Sequence, residues 1–311
     1  MSRLRLAAWA AGFAAVLTAA GGLTPALAAT GPSMTVNNGS VNIAVQGPRE
    51  SLLFYWAVNG TATWHPETVA GSFSTFSAPS MTVNNGSVNI AAEGPDHSLV
   101  FYWAVNGTPA WHAETVAGPG SAYSAPSMTV NNGSVNIAVE GPGHSLSFFW
   151  AVNGTATWHQ ETAGGFGSTF SAPSMTVNGN SVNIAAAGNG GRLRFYWAVN
   201  GMSFWHGETV GGFGSTFSAP TMTVNGNSVN IAAVGPGNRL RFYWAVNGTS
   251  SWHGETVAGF GSAVAAPSMT VNGNSVNISV VDHFAELRFY WAVNGTPFWH
   301  GEPIAGPGSV R

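Results

Sequence analysis

The stretch "FYWAVNGTATWHPETVAG", Phe54 to Gly71, decides how the rest of the chain is read. It returns at Phe101, Phe148, Phe195, Phe242 and Phe289, each time 47 residues further on. Every copy holds two tryptophans eight residues apart with an Asn-Gly step between them, and every copy carries W-H-x-E. Self-similarity at a fixed period of this size marks a repeat architecture. Outward from this core, the proline of "PSMTV" or "PTMTV" marks the repeat starts at Pro32, Pro79, Pro126, Pro173, Pro220 and Pro267.

Each repeat reads as four short strands. In the first, "SMTVN" alternates, with Met34 and Val36 opposed to Thr35 and Asn37, and Asn38-Gly39 makes a turn. "SVNIAV" alternates again, and "GPRES" is a loop. "LLFYWAV" is apolar on both parities, as in a strand covered on both faces. Asn59-Gly60 signals a type I′ hairpin into "TATWHPETV", the expected fourth strand. No helix-period stripe follows residue 28. Four strands in about 45 residues is the arithmetic of a propeller blade. The expected fold is therefore all-β, a six-bladed β-propeller with one four-stranded blade per repeat. An open solenoid would carry distinct polar end repeats, and these repeats are nearly uniform. Closing the ring would leave no blade face bare. The pattern does not say which strand is innermost.

Ahead of the repeats, Arg3 and Arg5 precede a weakly apolar run, Leu6 to Leu23, and Ala26-Leu27-Ala28 has the small residues of a cleavage site. That layout is expected of a secretory signal peptide over residues 1–28 rather than a membrane anchor. Residues 29–311 then form the propeller, Ala29 plus six periods of 47. The chain has no cysteine, so no disulfide braces it. Beyond residue 28, seven arginines, no lysine and twelve acids give 7 − 12 = −5. Such a balance disfavours nucleic acid and anionic lipid, which draw affinity from lysine and arginine.

The first tryptophans, Trp56, Trp103, Trp150, Trp197, Trp244 and Trp291, sit in the doubly apolar strand and are expected in the core between blades. The second set lies among Thr, His and Glu and reads either as a lid on the blade edge or as a platform for a ligand. The candidate ligand-binding residues are Trp64, His65 and Glu67; Trp111, His112 and Glu114; Trp158, His159 and Glu161; Trp205, His206 and Glu208; Trp252, His253 and Glu255; and Trp299, His300 and Glu302. His and Glu, two apart on a strand, share a face. An aromatic ring beside a carboxylate and an imidazole suits a sugar, with its C–H face on the ring and its hydroxyls on the polar groups. The competing use is a structural His–Glu or Arg–Glu bond tying the outer strand down. Asn42, Asn89, Asn136, Asn183, Asn230 and Asn277, within the second strand, are assigned a structural use.

Zinc needs three or four converging ligands, which one His and one Glu per blade do not supply locally. No metal and no cofactor are expected. Catalysis concentrates singular residues in one pocket, whereas every candidate here occurs six times. An enzyme is not the expected reading.

At "SLLFYWAVNGTATWHPETVAG" the sequence resembles the PLL type of bacterial β-propeller lectin, whose blades carry a comparable aromatic strand followed by W-x-x-E-x-V-A-G. The resemblance covers all six repeats. It implies repeated sites between blades that bind fucose or other, often O-methylated, sugars, with Trp64, Glu67 and their equivalents nearest the sites. Members of that type have seven blades, so six repeats imply a different inter-blade angle and notch width. Six-bladed fucose lectins of the fungal type place a regular arginine with the glutamate of each site. Here the arginines are uneven, with Arg194, Arg241 and Arg288 near the third strand of blades four to six. The leading expectation is a secreted, multivalent carbohydrate-binding protein; the alternative is a secreted structural or protein-interaction scaffold.

Overall fold

A computed structural model describes residues 31–310, apart from 106, 107, 109, 153, 154, 200, 201, 203, 294, 295 and 297. The expected leader, residues 1–28, lies outside the described residues. Blade one consists of β1 (Ser33–Asn37), β2 (Ser40–Gln46), β3 (Leu52–Val58) and β4 (His65–Ala70). They pair in chain order, each antiparallel to the last, and the other five blades repeat this arrangement. The protein is an all-β, six-bladed propeller of four-stranded blades.

The turns follow their residues. Asn38 and Gly39 both take positive φ, 47° and 80°, as a type I′ turn requires. Blades four to six write the same turn as Gly-Asn. There Gly179, Gly226 and Gly273 alone are positive, the pattern of a type II′ turn. Asn59-Gly60 departs from its expected type I′ turn: only Gly60 is positive, at 84°, and the Thr61 N–H donates to the Val58 carbonyl at 3.0 Å. The chain therefore does not reverse directly into the next strand. Thr61 to Trp64 stay outside it and β4 begins at His65, which corrects the expected strand from Thr61 onward.

A bulge between Leu52 and Leu53 shifts the register, so Leu52 faces Ala70 while Leu53 faces Thr68. Val69 and Ala70 consequently both pack against the apolar core, together with Trp56, Val100 and Trp111. That core is shared by two blades: Ala44, Leu52 and Phe54 from blade one meet Met81, Val88, Ile90, Ala92 and Tyr102 from blade two. The same assembly recurs between each following pair of blades. Since one blade's apolar faces are covered only by its neighbours, stability resides in these interfaces.

The first strands are innermost, running side by side from blade one to blade six. Four of them also offer a hydroxyl to the next: Ser33 Oγ accepts the Met81 N–H at 2.9 Å, and Ser80, Ser127 and Ser174 do the same for Met128, Met175 and Met222. Between blades six and one the first strands do not pack in this way. Met34 and Val36 are 69% and 63% exposed, whereas Met81, the counterpart of Met34, is 7% exposed. Leu287 and Phe289, on the opposite side of blade six, are only half-buried, while Leu52 and Phe54 are buried. Ring closure was expected to cover every face, and the structure corrects that.

At the opposite ends of the second strands of blades two and three, Glu93 and Glu140 bond His97 and His144 at 2.7 and 2.6 Å. Burial pushes the Glu140 carboxyl above its ordinary value, against the pull of the His144 hydrogen bond. Between that ordinary value of 4.5 and the raised one, the folded protein keeps a proton the unfolded chain has released. Stability contributed by this group therefore falls as pH rises through that window. Glu140→Gln should flatten the fall, read as the urea midpoint against pH; an unchanged slope would contradict this assignment.

Candidate functional site

Cross-strand register lays one row of side chains across the face that each blade turns toward its successor. In blade four, Asn183 faces Trp197, and Trp197 faces His206. One row along, Ala185 faces Phe195, and Phe195 faces Glu208. The second tryptophan of blade five, Trp252, arrives from the loop before its fourth strand and closes the notch. Its ring meets Phe195 edge-on at 5.0 Å, and its indole N–H donates to Glu208 Oε2 at 2.9 Å.

The same crossing joins Trp111 to Glu67, Trp158 to Glu114, Trp205 to Glu161 and Trp299 to Glu255, at 2.8 to 3.2 Å. In two blades the glutamate is seen gripping both tryptophans. Glu67 accepts from Trp56 and Trp111, and Glu161 accepts from Trp150 at 3.0 Å and Trp205 at 2.8 Å. The carboxylate thus ties the aromatic strand of one blade to the loop of the next. Neither expected structural partner is involved, since the glutamate's partner is indole rather than imidazole or guanidinium.

Above this clamp the blades part into open cavities. Between blades three and four the cavity measures about 390 Å³ and is lined by Asn136, Trp150, Glu161, Val182, Met202 and Trp205, among others. The notch between blades four and five, about 380 Å³, and that between blades two and three, about 290 Å³, repeat the lining with their own residues. Each has an aromatic floor, a carboxylate, a carboxamide and an apolar wall of Val and Ala.

The first tryptophans stand at the margin of the inter-blade core expected of them. All six are half-exposed, with a histidine stacked on each at 4.0 to 4.2 Å. Trp56, Trp103, Trp150, Trp197 and Trp244 pack against the shared cores, and Trp103, Trp150 and Trp197 also line the three notches. The phenylalanine two residues earlier is the buried one in blades one to five. His65, His112, His159, His206, His253 and His300 are exposed, sit over the first tryptophans, and do not line the three cavities. The second tryptophans are half-buried in five blades, whereas Trp64 is 47% exposed and no indole bond to Glu302 forms.

Of the asparagines of the second strand, assigned a structural use from sequence, Asn89, Asn136 and Asn183 line the three notches. The Asn136 amide donates to the Ser134 carbonyl at 3.3 Å, whereas Asn42, Asn89, Asn183 and Asn230 are buried with no hydrogen-bond partner on Nδ2. A buried amide without a partner is costly, and four repetitions point to a shared purpose. Asparagine within a strand, where it is disfavoured, was the sequence signal. Among the described residues no cluster of His, Asp or Glu could hold a metal ion, and no helix is long and apolar enough to cross a membrane.

No family model matches the chain, and no curated protein does. Solved structures do. The chain is similar to the BP39L lectin from Burkholderia pseudomallei, with 19% identity and a TM-score of 0.79 over 90% of this chain and 86% of that one. AofleA from Arthrobotrys oligospora follows at 13% identity and 0.62, over 90% and 88%. The Aleuria aurantia lectin, described as a fungal lectin of six-bladed β-propeller fold, gives 10% identity and 0.57 over 89% and 96%. The likeness is one of fold, the β-propeller. The BP39L chain superposes more closely although more of its length finds no counterpart here.

Proposed function

We propose that the chain is a multivalent carbohydrate-binding protein, exported by its first 28 residues, with one weak sugar site in each notch between blades. What carries the reading is the repeated notch in which an unpartnered buried asparagine amide stands beside two tryptophan rings and a carboxylate. A pyranose lays its C–H face on the indoles. Its hydroxyls accept from the asparagine Nδ2 and donate to the lone pairs the glutamate has left over after its indole bonds. The Val–Ala wall takes a methyl group, either the one on C6 of fucose or an O-methyl substituent. An Aleuria aurantia lectin variant has been seen in complex with α-methyl-L-fucoside and SapL1 in complex with α-methyl fucoside, and both share this fold. Each site alone is shallow, and several engaging one surface gain on the order of 10² to 10⁴ in avidity.

The indole–carboxylate bonds favour a second reading, a scaffold in which the tryptophans and glutamates only hold blades together. Asn183→Leu separates the two. Removing an unpartnered amide should leave stability unchanged or raise it by about 1 kcal/mol, while the notch between blades four and five loses its sugar. A glycan array and titration with α-methyl-L-fucoside read this out. Binding that is unaffected in a folded Asn183→Leu protein would remove the asparagine from the site. No glycan bound by the wild type would favour the scaffold.

A further inference from the structure

Four of the seven arginines beyond residue 28 stand in two pairs, Arg192 with Arg194 and Arg239 with Arg241, and none of the four lines the three notches. Arg192 and Arg194 lie two apart on the third strand of blade four, Arg192–Val199, so they share a face. Arg239 and Arg241 do the same on the third strand of blade five, Arg239–Val246. Further along the first of these faces, Tyr196 enters the core shared with blade three and Ala198 lines the notch beyond it. Arg194 is therefore about 13 Å of strand from that notch, across the core. Tyr243 and Ala245 separate Arg241 from its notch in the same way.

Blade six shows which chemistry these positions accept. Its residues 47 beyond Arg239 and Arg241 are Glu286 and Arg288. Arg288 Nη1 donates to Glu286 Oε2 at 2.8 Å, and Asp282 stands 4.0 Å from the same nitrogen. Side chains at these two positions thus meet. In blades four and five the place of Glu286 is taken by Arg192 or Arg239, and that of Asp282 by Gly188 or Gly235. Both carboxylates are gone and a second cation has come in. Among the described residues no carboxylate bridges any of these four guanidinium groups. Neutral groups anchor them instead. Arg194 and Arg241 donate to Thr209 and Thr256 at 2.8 and 2.9 Å and lie over Tyr196 and Tyr243, while Arg192 and Arg239 donate to the Asn189 and Pro236 carbonyls.

We infer that each arginine pair is an oxyanion site, taking the carboxylate or sulfate of a ligand where blade six holds its own Glu286 carboxylate. Two cations on one strand face repel, and an oxyanion between them removes that repulsion while accepting charge-assisted hydrogen bonds from both. The threonine and tyrosine fix Arg194 and Arg241 beforehand, so little ordering is left for the ligand to impose. Blades one to three carry serines at the first position and Leu53, Val100 or Ser147 at the second, which gives two sites per chain. The inference stands apart from the carbohydrate reading of the notches. Two sources supply such a group, a free inorganic anion and an acidic sugar.

Arginine Nε–H resonances test this and separate the sources. Sodium sulfate replaces sodium chloride at constant ionic strength in one arm, and sodium methyl β-D-glucuronide does so in the other. The Arg194 and Arg241 Nε atoms are buried, which shields their protons from exchange with water and keeps them observable. Both should shift saturably, while Arg288, already paired with Glu286, stays in place. A response to sulfate alone assigns the sites to inorganic anions, to the glucuronide alone to acidic sugars, and to both to oxyanions in general. Arg192→Glu writes the blade-six pair into blade four; it should abolish the Arg194 shift and leave that of Arg241. Arg192→Gln, which removes one cation without supplying a carboxylate, should weaken binding at Arg194 about threefold. Resonances that neither probe moves, shifts that never saturate, or an Arg288 shift as large as the others would overturn the inference. So would binding at Arg194 that neither substitution weakens.

Discussion

Trp205→Ala is expected to lower the unfolding free energy by about 3 kcal/mol and to abolish sugar binding between blades three and four. Three contributions act together at this residue. The ring packs edge-on against Phe148 at 4.8 Å, the indole N–H donates to Glu161 at 2.8 Å, and the ring adjoins the apolar core shared by the two blades. Edge-on aromatic pairs contribute about 0.5–1.5 kcal/mol beyond area, and the remainder is lost burial and the lost bond to a charged acceptor. Because each blade relies on its neighbours, weakening one interface also loosens the coupling between the two halves of the chain. Urea unfolding should therefore shift to a lower midpoint and broaden. A loss below about 1 kcal/mol would mean that the ring stands outside the interface and the clamp is incidental.

Glu161→Ala is expected to cost about 2–4 kcal/mol, since it removes the acceptor of two indole N–H groups at once. Trp150 and Trp205 lose their common partner, and the aromatic strand of blade three is no longer tied to the loop of blade four. Glu161→Gln keeps a single carbonyl acceptor and should recover part of the loss. The comparison separates bonding from charge: equal losses in the two variants would assign the effect to the carboxylate's charge, and no loss in either would contradict the clamp. Thermal unfolding followed by circular dichroism reads both. In the same proteins, sugar binding at this notch should weaken with Glu161→Ala, because the floor it holds is no longer fixed.

Much of this was legible from one repeat. The alternation of "SMTVN" and "SVNIAV", the doubly apolar "LLFYWAV" and the Asn-Gly steps specified four strands and their turns, and six copies specified six blades. The direction each side chain faces across an interface was less legible. Phe54 and Trp56 share a parity, so strand alternation puts both on the same face. It does not reveal that the blades touch at one and part at the other. The place of the asparagines in the notches was illegible for a related reason. A polar residue in a strand can be satisfied by a neighbour that only the assembled structure supplies; the Asn136 amide is, and those of Asn42, Asn89, Asn183 and Asn230 are not. Ring closure was illegible because it depends on the rotation at each interface, which packing between blades decides. No single repeat contains that information. The near-uniform repeats even argued for closure, although blades one and six carry the same residues as the others and leave them bare.

The most direct measurement is a titration of the protein with α-methyl-L-fucoside, followed through the indole N–H resonances by nuclear magnetic resonance. Saturable shifts of the tryptophan pairs lining the notches, such as Trp150 with Trp205 and Trp197 with Trp252, are the predicted result. Resonances that stay in place for this sugar and for O-methylated and other common monosaccharides, in a folded protein, would contradict the account.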